Sequence, residues 1–199
     1  AYFFSGVSRK ASIANSLKAL CQKEGLGLNF MEVDILLGGK AHDLMDKAAQ
    51  EAWIQLVEAG SIHISLLSPP CGSWSRANWA NNKGPRPCRN RRHPWGIPHQ
   101  RRRQQQRAKN GNEFVHFSIR VIRAAAAAKR KGFFARSFLE HPEDLGMTPR
   151  GEPASVWQLA DVKTAVGNSK FVAVAGYQCP FGVDRAKPTR LYSDIEGVE

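Results

Sequence analysis

Short apolar blocks alternate along this chain with stretches whose apolar residues recur every three or four positions. Residues 2–4 form an apolar block closed by Ser5-Gly6 and predict a first strand. Over 9–23, Ile13, Leu17, Leu20 and Cys21 fall on one helical face, and Gly25 suits a helix stop. Residues 28–34 predict a second strand with Glu32 and Asp34 at its end. After the Gly38-Gly39 turn, Asp43 is placed to cap a helix whose inward stripe includes Leu44, Ala48, Ala52 and Leu56. Residues 62–67 predict a buried strand, ended by Pro69-Pro70 because proline has no N–H for a sheet ladder. A helix is expected over 113–131, a strand over 133–139 that delivers Glu140-His141-Pro142, and a short helix over 154–159. Residues 171–175 and 190–192 predict the last two strands.

Strands alternating with helices in this order predict an α/β domain with a Rossmann-like, doubly wound, mainly parallel sheet. Residues 1–199 are expected to form that single domain, with a long basic loop, 72–111, after a central strand. In such sheets ligands bind beyond the carboxyl ends of the strands. Gly6, the Glu32/Asp34 pair, Pro69 to Cys71, and Glu140 all fall at predicted strand ends.

Charge sharpens this picture. The formal net charge is +12, and between Glu58 and Glu113 there is no acid but eleven lysines and arginines. Trp74, Trp79 and Trp95 are interleaved with them, a pattern that favours a polyanion partner, with the nucleic-acid backbone the obvious one. No apolar run is long enough for a membrane span, and the opening AYFFSG lacks the features of an export signal. An intracellular location is expected, nuclear in a eukaryote. Cys21, Cys71, Cys88 and Cys179 show no paired spacing, so reduced thiols are the better reading.

Cys71 is the natural nucleophile: a thiolate attacks an electron-poor carbon at neutral pH, and the neighbouring cationic segment is expected to lower its pKa. A carboxyl at the position of Glu140 can hold a proton and donate it to a ring nitrogen. Glu32 or Asp34, 26 and 28 residues beyond Gly6, are spaced to take the hydroxyls of a nucleoside ribose.

Phe4-Ser5-Gly6, Glu32-Val33-Asp34, Ser68-Pro69-Pro70-Cys71, Leu139-Glu140-His141-Pro142 and the late block Gln178 to Gly182 through Lys187-Pro188-Thr189-Arg190-Leu191 are ordered as a set. Together they resemble the motifs of S-adenosylmethionine-dependent DNA (cytosine-5) methyltransferases, in particular a divergent viral and mobile-element-like branch. The resemblance implies a class I methyltransferase-like fold. It also implies methyl transfer from S-adenosylmethionine to carbon 5 of a flipped cytosine in DNA, through a covalent adduct on Cys71. Glu140 would hydrogen-bond or protonate ring nitrogen 3, and Arg190 and Arg185 would hold the base carbonyl. Phe4, Ser5, Gly6, Glu32, Asp34, Asp43 and Pro69 would bind the cofactor. Ser73, Ser75, Arg76, Arg86, Arg89, Arg91, Arg92, Arg101, Arg102 and Arg103 would contact nucleic acid. Extrusion of the base is a physical requirement, since its ring edge is out of reach within a stacked duplex.

This chain departs from the family pattern in its first turn, which carries one glycine, and in Asp184 and Lys187, where glutamine and arginine are commoner. No separate target-recognition domain is expected within residues 1–199. Two other readings stand beside the first: a nucleic-acid-binding protein without catalysis, and an RNA cytosine methyltransferase. Cys71, Cys88, His93 and His99 are ligand types for zinc, but the gap between the cysteines is far longer than in structural zinc sites, and no metal is expected.

Overall fold

The computed structural model describes residues 1–7, 12–80, 83–167, 171–179 and 186–197. Six strands, β1 (Tyr2–Phe3), β2 (Glu32–Val33), β3 (Ile64–Leu67), β4 (Arg136–Pro142), β5 (Val172–Tyr177) and β6 (Pro188–Ser193), form one sheet in the order β2-β1-β3-β4-β6-β5. Its helices are α1 (Ile13–Lys23), α2 (Ile35–Gly38), α3 (Lys47–Glu58), α4 (Arg102–Arg130) and α5 (Ala160–Gly167).

The sheet is mixed, which corrects the expectation of a mainly parallel, Rossmann-like sheet. β2, β1, β3 and β4 run parallel, but the ladders at β1 hold only two residue pairs each. The two most extended ladders are antiparallel, from Phe138↔Ser193 to Pro142↔Thr189 between β4 and β6, and from Val172↔Ser193 to Tyr177↔Pro188 between β5 and β6. The physical reason lies in the connection between the last two strands. Residues 178–187 are too few for a helical crossover, so the chain returns as a hairpin and lays β6 between β4 and β5.

That insertion also moves a boundary. β4 continues through Glu140, His141 and Pro142, because Leu191, Arg190 and Thr189 pair with them. Glu140 therefore lies inside a strand and not beyond its end. The helix expected over 113–131 starts at Arg102 instead, so the arginine- and glutamine-rich tract forms its first turns and shortens the basic loop. Asp43 does not cap α3. Its carboxylate accepts from the Met45 N–H in a tight turn, and Asp46 caps the helix, accepting from the N–H groups of Ala48 and Ala49.

The core explains the layering. Phe3, Val33, Leu67 and Leu139, one from each parallel strand, are buried against Trp53, Ile54 and Val57 of α3 and the apolar side of α4. Phe3 meets the rings of Trp53 and Phe117 edge-on, with centroids 5.8 and 5.4 Å away. Each such side chain contributes about 1.5–3 kcal/mol by leaving water. Ala124, Ala125 and Ala128 are buried, so the alanine-rich stretch serves as the tightly packed part of α4.

Candidate active site and nucleic-acid interface

Pro69 and Pro70 end β3, and the chain turns at once into a 3-10 helix, Cys71–Ser73, with a second, Arg76–Trp79, capped by Ser75 Oγ on the Ala77 N–H. The first turn sits against α4 at Gly111, where the Trp74 indole N–H donates to the Gly111 carbonyl at 3.4 Å. A Cβ at Gly111 would lie 2.2 Å from Ser73 Oγ, so only glycine permits this approach. Arg107, one turn earlier on α4, donates to the carbonyl of Gly72 and to Asn78 Oδ1.

Beneath this turn lies Arg89, 1% exposed. Its guanidinium stacks 3.6 Å over the Trp74 ring and donates to Ser73 Oγ, to Asn112 Oδ1 and to the carbonyls of Pro94 and Ala108, at 2.7–2.9 Å. Burial pushes its pKa down to about 10, so the group stays charged at neutral pH. Arg89 is thereby removed from the set of nucleic-acid contacts: it is an internal brace. Ser73 is buried with it and has the same structural role.

Cys71 is half-buried at the edge of a cavity of about 720 Å³. That volume lies within the range of small-molecule sites. One side of the cavity is the loop after β3, through Ser75, Arg76 and Trp79; the other is the loop after β4, from Glu143 to Arg150; Lys187 and Pro188 enter with β6. Trp79 packs against Gly151, where a Cβ would meet its ring at 2.2 Å. Burial raises the Cys71 pKa, Lys187 lowers it and Glu140 raises it, so the net direction is up. This corrects the expectation of a thiol acidified by the basic loop: burial acts directly on the sulfur, and the one cation felt there is Lys187 and not an arginine of that loop.

Glu140 does not line the cavity. Its Oε1 accepts from Lys187 Nζ at 3.4 Å and from Gln178 Nε2 at 3.5 Å, so Lys187 stands in contact with the carboxylate while lining the cavity beside the thiol. His141, next along β4, is fully buried between Trp74 and Trp157. Burial, then the charges of Lys187 and Arg89, push its pKa down to about 3, so it remains neutral. Arg190 Nε and Nη2 donate to the two carboxylate oxygens of Glu143 at 2.9 and 2.5 Å, and the guanidinium lies near the Trp157 and Tyr192 rings. Burial opposes its charge, but Glu143 outweighs this and raises its pKa. Arg190, expected to hold the base, is engaged in this partly exposed ion pair and does not line the cavity. Arg185 lies outside the described residues.

At the other edge of the sheet, Gly6 N–H donates to Asp34 Oδ2 at 3.0 Å, and Asp34 Oδ1 accepts from the Leu36 N–H as the cap of α2. Asp34 ties the ends of β1 and β2 together. Glu32 is half-buried, and its side chain has no hydrogen-bond partner among the described residues. Phe4, at φ +62°, packs edge-on against Phe114, and Ser5 Oγ donates to the Gly6 carbonyl. Pro69 is buried among Val115, Ser118 and Leu139 and faces the interior, which corrects its assignment as a cofactor contact; Asp43, in its turn, is occupied by Met45.

Arg86, Arg91, Arg92, Arg101, Arg102 and Arg103 are exposed. Arg102 and Arg103 join Lys109 and two glutamines around a shallow surface depression on α4. Arg76 is half-buried and donates to the Met147 carbonyl at 2.7 Å, which joins the loops after β3 and β4. Among the described residues no group of three or more His, Cys, Asp or Glu side chains is arranged to hold a metal ion, and no helix is long and apolar enough to cross a membrane.

Reasoning from sequence missed three residues of this site. Lys187 stood out only as a departure from a motif, and its proximity to Cys71 depends on where β6 inserts. Glu143 carries no local signal beyond being an acid three residues after Glu140. Trp79 was counted with the basic loop, and its place in the cavity wall depends on Gly151. Compared with protein-family models, with curated proteins and with solved structures, the chain matches none.

Proposed function

We propose that the protein transfers a methyl group to carbon 5 of cytosine in DNA, with S-adenosylmethionine as donor. The observation that carries this reading is that Cys71 and Lys187 line one cavity, with Lys187 in contact with Glu140 behind it, in a chain whose basic segment leaves six arginines exposed. In this reading the Cys71 thiolate adds to carbon 6 of an extruded cytosine, which turns carbon 5 into the nucleophile that takes the methyl group; loss of the carbon-5 proton to water then expels the thiolate and restores the ring. Lys187 holds the thiolate charge and, being inside the cavity, donates to the base carbonyl in place of Arg190. Glu140, which stands behind the cavity wall, orients Lys187 through their hydrogen bond.

The cofactor supplies an electrophilic methyl group when bound. Glu32 fits its ribose hydroxyls, being half-buried beside the β1 end and unengaged; Asp34 fits less well, because both of its oxygens already accept from the chain. The exposed arginines hold the DNA backbone, and their number predicts steep salt dependence.

The test uses duplex DNA carrying 5-fluorocytosine and S-adenosylmethionine, with a denaturation-resistant protein–DNA complex as readout. Complex formation by the wild-type chain and its loss in Cys71→Ser, with DNA affinity retained, is the expected result; methylation by Cys71→Ser would refute the nucleophile. A second reading, a nucleic-acid-binding protein without catalysis, is favoured by the raised thiol pKa and the engaged Asp34. Calorimetry with S-adenosylmethionine in the presence of DNA separates the two, and competition with RNA of the same sequence separates DNA from RNA as substrate.

A further inference from the structure

The first turns of α4 have two unlike faces. Ala108 is buried, and Arg107 and Gly111 are turned toward the Cys71 turn, whereas Arg102, Arg103, Gln105, Gln106 and Lys109 are exposed. Four of these, at 102, 105, 106 and 109, follow the i, i+3, i+4, i+7 spacing of a single helical face. The shallow depression along that face is lined by these five residues alone, so no other described element stands over it. No acid occurs from 102 to 112, and the side chains of Arg102 and Arg103 make no hydrogen bond or ion pair with any described residue. The glutamines are held by the chain itself: Gln105 Nε2 donates to the Gln100 carbonyl at 2.8 Å and Gln106 Nε2 to Asn110 Oδ1 at 2.6 Å. An exposed helix is ordinarily laced with acid–base pairs, so a face of one sign matches a polyanion.

Shape narrows the partner further. A helix with its side chains is about 10–12 Å across, and the major groove of B-form DNA is about 12 Å wide, whereas the minor groove, at about 6 Å, excludes it. The guanidinium fork matches O6 and N7 of guanine, and helices that read DNA place their N-terminal residues on base edges. We propose that the first turns of α4 enter the major groove of duplex DNA, where Arg102 and Arg103 read guanines near the target base. Arg86, Arg91 and Arg92 lie in irregular chain, with no rod to fill a groove, and take phosphates. Because α4 also holds the Cys71 turn, through Arg107 on Gly72 and the close approach at Gly111, the register set by reading fixes the thiol along the duplex. The proposal rests on the reading of DNA as the partner and adds to it the element that chooses the sequence.

The experiment uses the full chain without S-adenosylmethionine. Duplexes with about ten random central base pairs are selected for binding and sequenced, and Kd is then measured on the enriched duplex and on one whose enriched G·C pairs are changed to A·T. The wild type should prefer the enriched duplex roughly tenfold or more. Arg102→Lys/Arg103→Lys keeps both charges and the helix propensity but loses the fork, so it should melt with the wild type. It should bind the altered duplex within about twofold of the wild type and bind the two duplexes alike. If the pair does not fold, Arg102→Lys alone is read in the same way, with a reduced preference expected. A variant that keeps the full preference, an equal loss on both duplexes, or a wild type with no preference for guanine overturns the reader. Duplex RNA of the enriched sequence has a major groove too narrow for a helix and should be bound without preference; a preference kept on RNA overturns groove entry. A chain that shows the guanine preference but transfers no methyl group loses the catalytic reading and keeps the reader, while one that binds no DNA loses both.

Discussion

Replacing Gly111 with alanine tests how the Cys71 turn is held, because two opposing effects give opposite signs. In a helix interior, alanine is favoured over glycine by about 1 kcal/mol, so propensity alone predicts stabilisation. Against this, the new Cβ would lie 2.2 Å from Ser73 Oγ, 3.0 Å from Arg89 Nη2 and 3.2 Å from Trp74 Nε1. Overpacking a tight core contact costs about 1–3 kcal/mol. Displacing Ser73 also takes an acceptor from the buried Arg89 guanidinium, worth about 1.5–3 kcal/mol for a hydrogen bond to a charged group. The net expectation is a loss of about 2–4 kcal/mol. For a domain of this size that lowers the melting temperature by roughly 5–15 °C. Differential scanning calorimetry reads it, and the Gly111→Ala/Ser73→Ala double variant sharpens it. Removing Oγ relieves the clash, so the double variant should be more stable than the sum of the two single changes allows. A Gly111→Ala protein that melts higher than the wild type, or strict additivity in the cycle, would refute the account of this contact.

Two further outcomes follow from the electrostatics. Lys187→Met removes the cation that lowers the Cys71 pKa and leaves the Glu140 charge unpaired, and both effects raise the thiol further; iodoacetamide alkylation at Cys71, followed by peptide mass spectrometry against pH, should show its midpoint moved upward, and an unchanged midpoint would mean that Lys187 is not felt at the sulfur. His141 is held neutral, with its pKa pushed from 6.5 to about 3, so between those values the unfolded chain binds the extra proton and stability rises with pH by up to about 1.4 kcal/mol per unit. Urea denaturation from pH 4 to pH 7 should show that slope reduced in His141→Phe, and an unaltered slope would assign the pH dependence to the carboxylates alone.

How much of this could be read from the chain differs by residue and has physical reasons. The C-terminal end of β3 and the loop that Cys71 heads after it were legible, because two prolines cannot continue a ladder. The presence of α3 was legible but its inward face was not: Ala48, Ala52 and Leu56 are exposed while Gln50, Trp53, Ile54 and Val57 are buried, and the cap lies at Asp46 and not Asp43. The first turns of α4 were not, since residues 102–107 carry no apolar stripe; they are held by contacts from the Cys71 turn, as with Arg107 on Gly72 and Asn78. Counting charges placed every arginine of the basic segment on the surface, whereas Arg89 lies inside. Its neutral acceptors, a serine, an asparagine and two carbonyls, leave no acidic partner in the sequence to betray it. The reversal of β6 was hidden because local patterns specify a strand but not its direction.

The place of β6 also constrains how the molecule acquires its chemistry. β4 waits for a neighbour that the chain supplies only after α5 and β5, so Glu140 meets Leu191 by a contact of long sequence separation. Lys187 arrives at the thiol with that same strand. In the proposed site, Cys71 and Lys187 are therefore brought together only by the docking of the β5–β6 hairpin on β4.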